Sequence, residues 1–145
     1  MRGFRRNRRT EGAAEEPKYR NVKMEYEGMA FDSKRELKRY LFLRDAERRG
    51  EISMLERQKE YELIPAVTRE VEQKLKTKVK IKKVTEQKAT KYRADFVYVK
   101  DGEVVVEDVK IAPHMIPADY RLKEKLMFYL YRIRIRRVYK PEEDI

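Results

Sequence analysis

The sequence predicts one α+β domain whose elements run helix, strand, antiparallel hairpin, helix, strand around a central mixed sheet flanked by helices. Three stretches carry this reading. Tyr92–Lys110 holds two alternating runs joined by Asp101-Gly102. Residues 33–49 open with a capping signal and stop at Gly50, and residues 118–132 carry apolar side chains at helical spacing ahead of an alternating tail. At 145 residues the chain fits one domain with a modest core.

Residues 1–17 place five arginines in the first nine positions and end in small and acidic residues before Pro17. They read as a disordered basic arm, either a DNA-gripping tail or a solvated terminus, ahead of a folded domain over residues 18–145. Residues 18–31 are short and mixed, with Gly28 marking a turn. The first helix is expected from about Ser33 to Arg49, with Leu37, Leu41 and Ala46 on its apolar side. Ser33-Lys34-Arg35-Glu36 is an S-x-x-E capping box, which gives Glu36 a local role as a backbone acceptor. Residues 51–65 read as a connection and then a strand, with Tyr61 and Leu63 alternating against Glu60 and Glu62 and Gln58 as a polar strand residue. The Lys- and Glu-rich residues 66–90 read as a solvated insertion beside the sheet. Val79 and Ile81 mark a strand there, and Val71–Leu75 is either a helical turn or an extended arm.

In the hairpin, Tyr92, Ala94, Phe96 and Tyr98 are expected on one face and Arg93, Asp95, Val97 and Val99 on the other. Val104, Val106, Asp108 and Lys110 share a face opposite Val105, Glu107 and Val109. Asp-Gly suits a two-residue turn with positive φ at both positions, so Lys100 faces Glu103 and Asp95 faces Asp108. Opposed residues lie roughly 4.5–5.5 Å apart at Cβ, and like charges there repel. Such a pair asks for a compensating charge. Lys110 on the same face is one source, and a divalent cation is the other. Mg2+ takes oxygen ligands, commonly one or two carboxylates with water and substrate phosphate.

Ile111–Ala118 is a loop punctuated by Pro113 and Pro117; its His114, the single histidine, reads as a surface or packing residue. The second helix, about Ala118 to Arg132, should bury Leu122, Leu126, Tyr129 and Leu130 and turn Arg121, Lys123 and Lys125 outward. Tyr131–Arg136 alternates as a strand, with Arg132, Arg134 and Arg136 forming either a blunted edge or a phosphate-binding rail.

Charged residues make up 43% of the chain and the net charge is +11. Residues 1–18 contribute six basic and three acidic side chains, so the remainder carries +8. A basic body of this kind favours polyphosphate partners. No apolar run approaches a membrane span, and no apolar segment follows the basic N-terminus as a secretory signal requires. With no cysteine, disulfides and Cys-based zinc sites are excluded, and a reducing cytoplasm is the expected setting.

Asp95 followed on the next strand by Asp108-Val109-Lys110 resembles the Asp…(Asp/Glu)-x-Lys signature of the PD-(D/E)XK nuclease superfamily, with Ala94 where the nominal motif has proline. The order GMAFDSKRE, LERQKEYEL, YRADFVYV, VVVEDVK is similar to a family of small phage and prophage proteins related to Holliday-junction resolvases, over roughly Lys18–Lys140. The resemblance implies a restriction-endonuclease-like αβββαβ core and metal-dependent phosphodiester hydrolysis. Asp95 and Asp108 would hold Mg2+ or Mn2+, with Glu36 completing the site directly or through water. Lys110 would orient the attacking water or neutralise charge on the transition state, and Gln58 matches a glutamine of the phage family. Gln58, Lys123, Lys125, Arg132, Arg134 and Arg136 are the candidate nucleic-acid contacts.

The expected protein is therefore a structure-selective DNA endonuclease, a resolvase acting on four-way junctions as a symmetric homodimer, because two symmetric nicks need two related sites. The alternatives are a flap, end or duplex nuclease of the same fold, and a nucleic-acid-binding protein that has the fold without cleavage. Glu107, on the opposite face to Asp108, is expected to matter much less.

Overall fold

Ser33 lies extended at φ −153° and its Oγ accepts from the Glu36 amide at 3.2 Å, so the capping signal does start α1 (Lys34–Arg48). Gly50, at φ +76°, follows the C-cap Arg49 in the left-handed conformation that ends helices. The computed structural model describes residues 22–145, and the arm expected over residues 1–17 lies outside them. A small hairpin, β1 (Met24–Tyr26) and β2 (Met29–Phe31), precedes α1. After it come β3 (Ser53–Ile64), β4 (Val67–Lys74), β5 (Val79–Gln87), β6 (Thr90–Lys100) and β7 (Glu103–Val109). A 3-10 turn at Pro113–Met115, α2 (Ala118–Tyr131) and β8 (Arg136–Val138) complete the fold.

The central sheet has the order β3-β6-β7-β8, antiparallel except for the parallel pair β7–β8. α1 packs through Leu43 and Ala46 onto Ile52, Phe96 and Tyr98. On the other face α2 packs through Tyr120 and Met127 onto Leu63, Tyr92, Ala94, Val97 and Val106. The fold is thus a mixed α+β domain, in which α1, β3, β6, β7, α2 and β8 give the expected αβββαβ order. Two further hairpins, β1–β2 and β4–β5, are added to it. Asp101 at φ +51° and Gly102 at φ +80° make the β6–β7 turn, and pairing runs from Lys100↔Glu103 to Phe96↔Glu107 as that turn dictates.

Tyr92, Ala94, Phe96 and Tyr98 do not share one face. Tyr92 and Ala94 lie on the α2 side, Phe96 and Tyr98 on the α1 side, so β6 changes face at Asp95. Opposite, Gln58 sits at φ +51° and is skipped by the ladder between Arg57↔Phe96 and Lys59↔Ala94. A left-handed non-glycine residue costs about 1–3 kcal/mol, and such strain concentrates at functional sites.

Three other expectations need correction. α1 presents Glu36, Arg39, Leu43 and Ala46 to the interior, leaving Leu37 and Leu41 half-buried. In α2, Tyr120 and Met127 are buried, whereas Leu122, Tyr129 and Leu130 face solvent. Tyr131–Arg136 is not a strand. The helix continues to Tyr131, Arg132 caps it at φ +60°, and the strand begins at Arg136. The fully buried Val138, paired with Val109, determines where that strand lies, and this outweighs the local alternation. In residues 66–90 the expected strand at Val79–Ile81 is part of β5, and Val71–Leu75 is the extended partner rather than a helical turn.

Candidate active site

The β6–β7 ladder stops at Phe96↔Glu107, and two carboxylates take over from the backbone carbonyls. The Asp95 amide donates to Asp108 Oδ1 at 2.9 Å, and the Val109 amide donates to Asp95 Oδ2 at 2.8 Å. The turn register therefore brings Asp95 and Asp108 together as expected. Asp108 is buried, and its Oδ2 accepts from the Tyr92 hydroxyl at 2.7 Å. Lys110 Nζ lies 3.9 Å from the same oxygen and 3.8 Å above the Tyr120 ring. Its amide donates to the Val138 carbonyl at 2.8 Å, which holds the end of β7 in place.

One lysine at ion-pair distance does not balance two facing carboxylates. Burial first, and then the Asp108 charge, push the Asp95 carboxyl up to about 7; Glu36 adds to the rise, while the Val109 amide and Lys110 oppose it. The Tyr92 and Tyr120 hydroxyls are likewise raised, by burial and then by Asp108. An acid raised from 3.8 in this way stabilises the fold below that value, and the contribution is lost as pH rises through about 7. In chelator-treated protein the thermal midpoint should fall over that window, and Asp95→Asn should flatten the slope. An equal slope in both proteins would show that the Asp95 carboxyl is not raised.

Glu36, in the first turn of α1, is buried. Its Oε2 accepts from the Asp32 amide at 3.2 Å, so it does serve the helix start, one residue ahead of the usual capping-box amide. Its Oε1 is buried with no hydrogen-bond partner. Burial raises its carboxyl, and the Gln58 side chain is among the neighbours that oppose the rise. The left-handed Gln58 is half-buried on β3 at the ladder position opposite Asp95. Among the described residues no three His, Cys, Asp or Glu side chains converge tightly enough to form a metal-binding group; Asp95 and Asp108 are the close pair, and Glu36 stands outside it.

On the other sheet face, Glu107 is not peripheral. It is fully buried and accepts from Arg39 Nε at 2.7 Å, Arg39 Nη2 at 3.0 Å and the Tyr98 hydroxyl at 3.0 Å. Arg39, also fully buried, donates to the Pro141 and Glu143 carbonyls and so ties α1, β7 and the C-terminal segment together. Glu107 thus lies on the face opposite Asp108, as expected, and its buried ion pair makes it a structural anchor of the fold.

The three arginines do not form a rail. Arg132 ends α2, Arg134 lies 4.1 Å over the Phe128 ring, and Arg136 is half-buried 3.9 Å from Glu107. Lys125 and Arg134 line a surface groove with Arg121 and Phe128, whereas Lys123 is half-buried outside it. Sequence reasoning missed Arg137, which grips Glu124 through two bonds of 2.7 and 2.5 Å and fastens β8 to α2. It also missed Tyr92 and Tyr120 as polar neighbours of Asp108. His114 is exposed in the 3-10 turn.

The family described as Protein of unknown function (DUF1064) matches residues 16–141, which include every residue of this corner, and the chain belongs to that family. No curated protein and no solved structure matches the chain. Among the described residues no helix is long and apolar enough to cross a membrane.

Proposed function

We propose that this protein is a metal-dependent DNA endonuclease of the PD-(D/E)XK type. The observation that carries the reading is the Asp95–Asp108 pair, set into a strand ladder with Lys110 beside it and with too little positive charge to balance it. The donor set fits a hard cation. It is all oxygen, Asp95 Oδ2 is the oxygen bonded to Val109 so that Oδ1 faces elsewhere, and Glu36 Oε1 is a buried acceptor with no donor. Asp95 and Asp108 would hold Mg2+ or Mn2+, which would supply Lewis-acid polarisation of the scissile phosphate and a more acidic water.

The surrounding residues have their own work. The Tyr92 hydroxyl and the Asp95 amide fix the Asp108 carboxylate in orientation. Lys110, held over Tyr120, can donate to the attacking water or to a phosphate oxygen on which negative charge grows. Glu36 Oε1, a buried acceptor without a donor, is able to accept from an enclosed water, which suits a role through water. The basic body supplies phosphate attraction, and the cytoplasm is the compartment where such a protein meets DNA.

Junction resolution is the activity we assign within this class, by a symmetric homodimer that makes paired nicks. The solvent-facing stripe on α2 supports self-association, since Leu122 is 58% exposed and Tyr129 72% exposed although both are apolar and at helical spacing. Leu122→Asp/Tyr129→Glu should convert a dimer to a monomer on a sizing column with light scattering. A wild-type monomer, or a variant that stays dimeric, would remove this face from consideration. The activity itself is tested on a labelled four-way junction beside linear duplex, flap and single-stranded DNA. Paired symmetric nicks in the junction alone are expected. Cleavage of every substrate would leave a general nuclease, and tight salt-sensitive binding without cleavage would leave a binding protein.

A further inference from the structure

The β4–β5 ribbon grows out of the strands that carry the site. β3 and β6 pair as far as Ile64↔Thr90, and pairing resumes at Val67↔Gln87 after Pro65-Ala66. One antiparallel ribbon thus leaves the sheet from the strands holding Gln58 and Asp95. The eight residues of β4 extend about 26 Å at about 3.3 Å per residue. β4 and β5 pair only with each other, and residues 67–88 are exposed apart from the half-buried Val71 and Val84. A two-stranded hairpin standing clear of a core is marginally stable in water. This one has the form of an arm that rests on something else.

The register sorts its charges by face, because directly opposed residues point the same way. One face carries Thr68/Thr85, Glu70/Lys83, Glu72/Ile81 and Lys74/Val79, with two carboxylates and two lysines in balance. The other carries Arg69/Val84, Val71/Lys82 and Gln73/Lys80, and Lys78 continues it where the Leu75 amide donates to the Lys78 carbonyl at 2.8 Å. The carboxylate next to this face, Glu86, is held by Arg69 at 2.7 Å. Lys78, Lys80 and Lys82 are left as a row without a carboxylate, at two-residue intervals of roughly 7 Å. Phosphates along one strand of duplex DNA recur at about 3.4 Å of axial rise, so this spacing corresponds to about two steps. A two-stranded ribbon also fits against a duplex groove. Residues 67–88 contain no aromatic residue, the usual anchor of a protein interface.

We infer that the Lys78, Lys80 and Lys82 face of the β4–β5 ribbon is a backbone-binding arm that lies along double-stranded DNA beyond the far end of the strands that carry the carboxylate site. The inference rests on the proposed function in taking DNA as the partner. It adds a contact surface that holds the duplex by its phosphates and contributes no base readout.

Two matched pairs of substitutions test it. Lys80→Gln/Lys82→Gln and Lys74→Gln/Lys83→Gln each remove two charges from the same ribbon, one pair from each face. Binding to a linear duplex and to a four-way junction is measured by fluorescence anisotropy in EDTA over a salt series. The first pair should weaken binding roughly tenfold and lower the slope of log affinity against log salt by about 2, and the second should change it less than about twofold. Equal losses from both pairs, or no loss from either, would overturn the arm, as would a wild-type protein that binds no duplex. Loss of self-association in the first pair, with DNA binding intact, would assign the row to a second copy of the chain and overturn it too. Cleavage assays on the same proteins separate this claim from the one it rests on. Face-dependent binding without cleavage upholds the arm and removes the nuclease, whereas cleavage with equal binding by both pairs does the reverse.

Discussion

Glu107→Gln should destabilise the protein by roughly 3–5 kcal/mol, the usual consequence of breaking a buried ion pair from one side. The guanidinium of Arg39 has no access to water, and its Nε and Nη2 both bond Glu107. The amide removes the countercharge and replaces one acceptor with a donor, while Arg39 cannot shed its proton. Against a typical domain stability of about 5–15 kcal/mol this is a large fraction. Chemical denaturation of the two proteins measures it. The paired change Arg39→Met/Glu107→Leu should cost less than Glu107→Gln, because it removes both charges together. Per folded molecule the Glu107 variant should still cleave, since its side chain lies on the opposite face from Asp108. Unchanged stability would mean that the pair is not closed in solution.

Asp108→Asn should lower the cleavage rate on the order of 10³-fold, equivalent to about 4 kcal/mol of transition-state stabilisation, and leave DNA binding intact or tighter. The amide is isosteric and retains one oxygen for the Asp95 amide or the Tyr92 hydroxyl, so the ladder end should survive. What disappears is one of the two charges that would hold the metal. The loss should fall on kcat rather than KM, because phosphate recognition lies with the basic surface. Cleavage at the wild-type rate would overturn the site assignment.

The geometry of this pair was legible because Asp101-Gly102 admits one tight turn, and a turn determines every pairing beyond it. The start and end of α1 were legible for a similar reason, since Ser33 and Gly50 each satisfy a backbone requirement locally. The change of face at Asp95 was not. Alternation gives no sign of a left-handed residue on the partner strand, and Gln58 has no special preference for that conformation. Arg39 was hidden because apolar periodicity does not count a charged side chain, although Glu36, Arg39, Leu43 and Ala46 do share helical spacing. In α2 the stripe through Leu122 and Tyr129 was as regular as the buried Tyr120–Met127 side. Only the position of the helix over Tyr92 and Val106 chooses between them. The ribbon at residues 67–87 lacks a buried face, so nothing imposes an apolar alternation on it, and the charge segregation emerges only once the register is known.

The account stands most directly on single-turnover cleavage of a labelled four-way junction by the wild-type protein, with Mg2+ or Mn2+ and then with EDTA, and with Asp95→Asn alongside. Cleavage that requires the metal and is lost in the variant is the predicted result. Cleavage that persists in EDTA, or that survives Asp95→Asn at the wild-type rate, would contradict a metal-dependent centre built on Asp95 and Asp108.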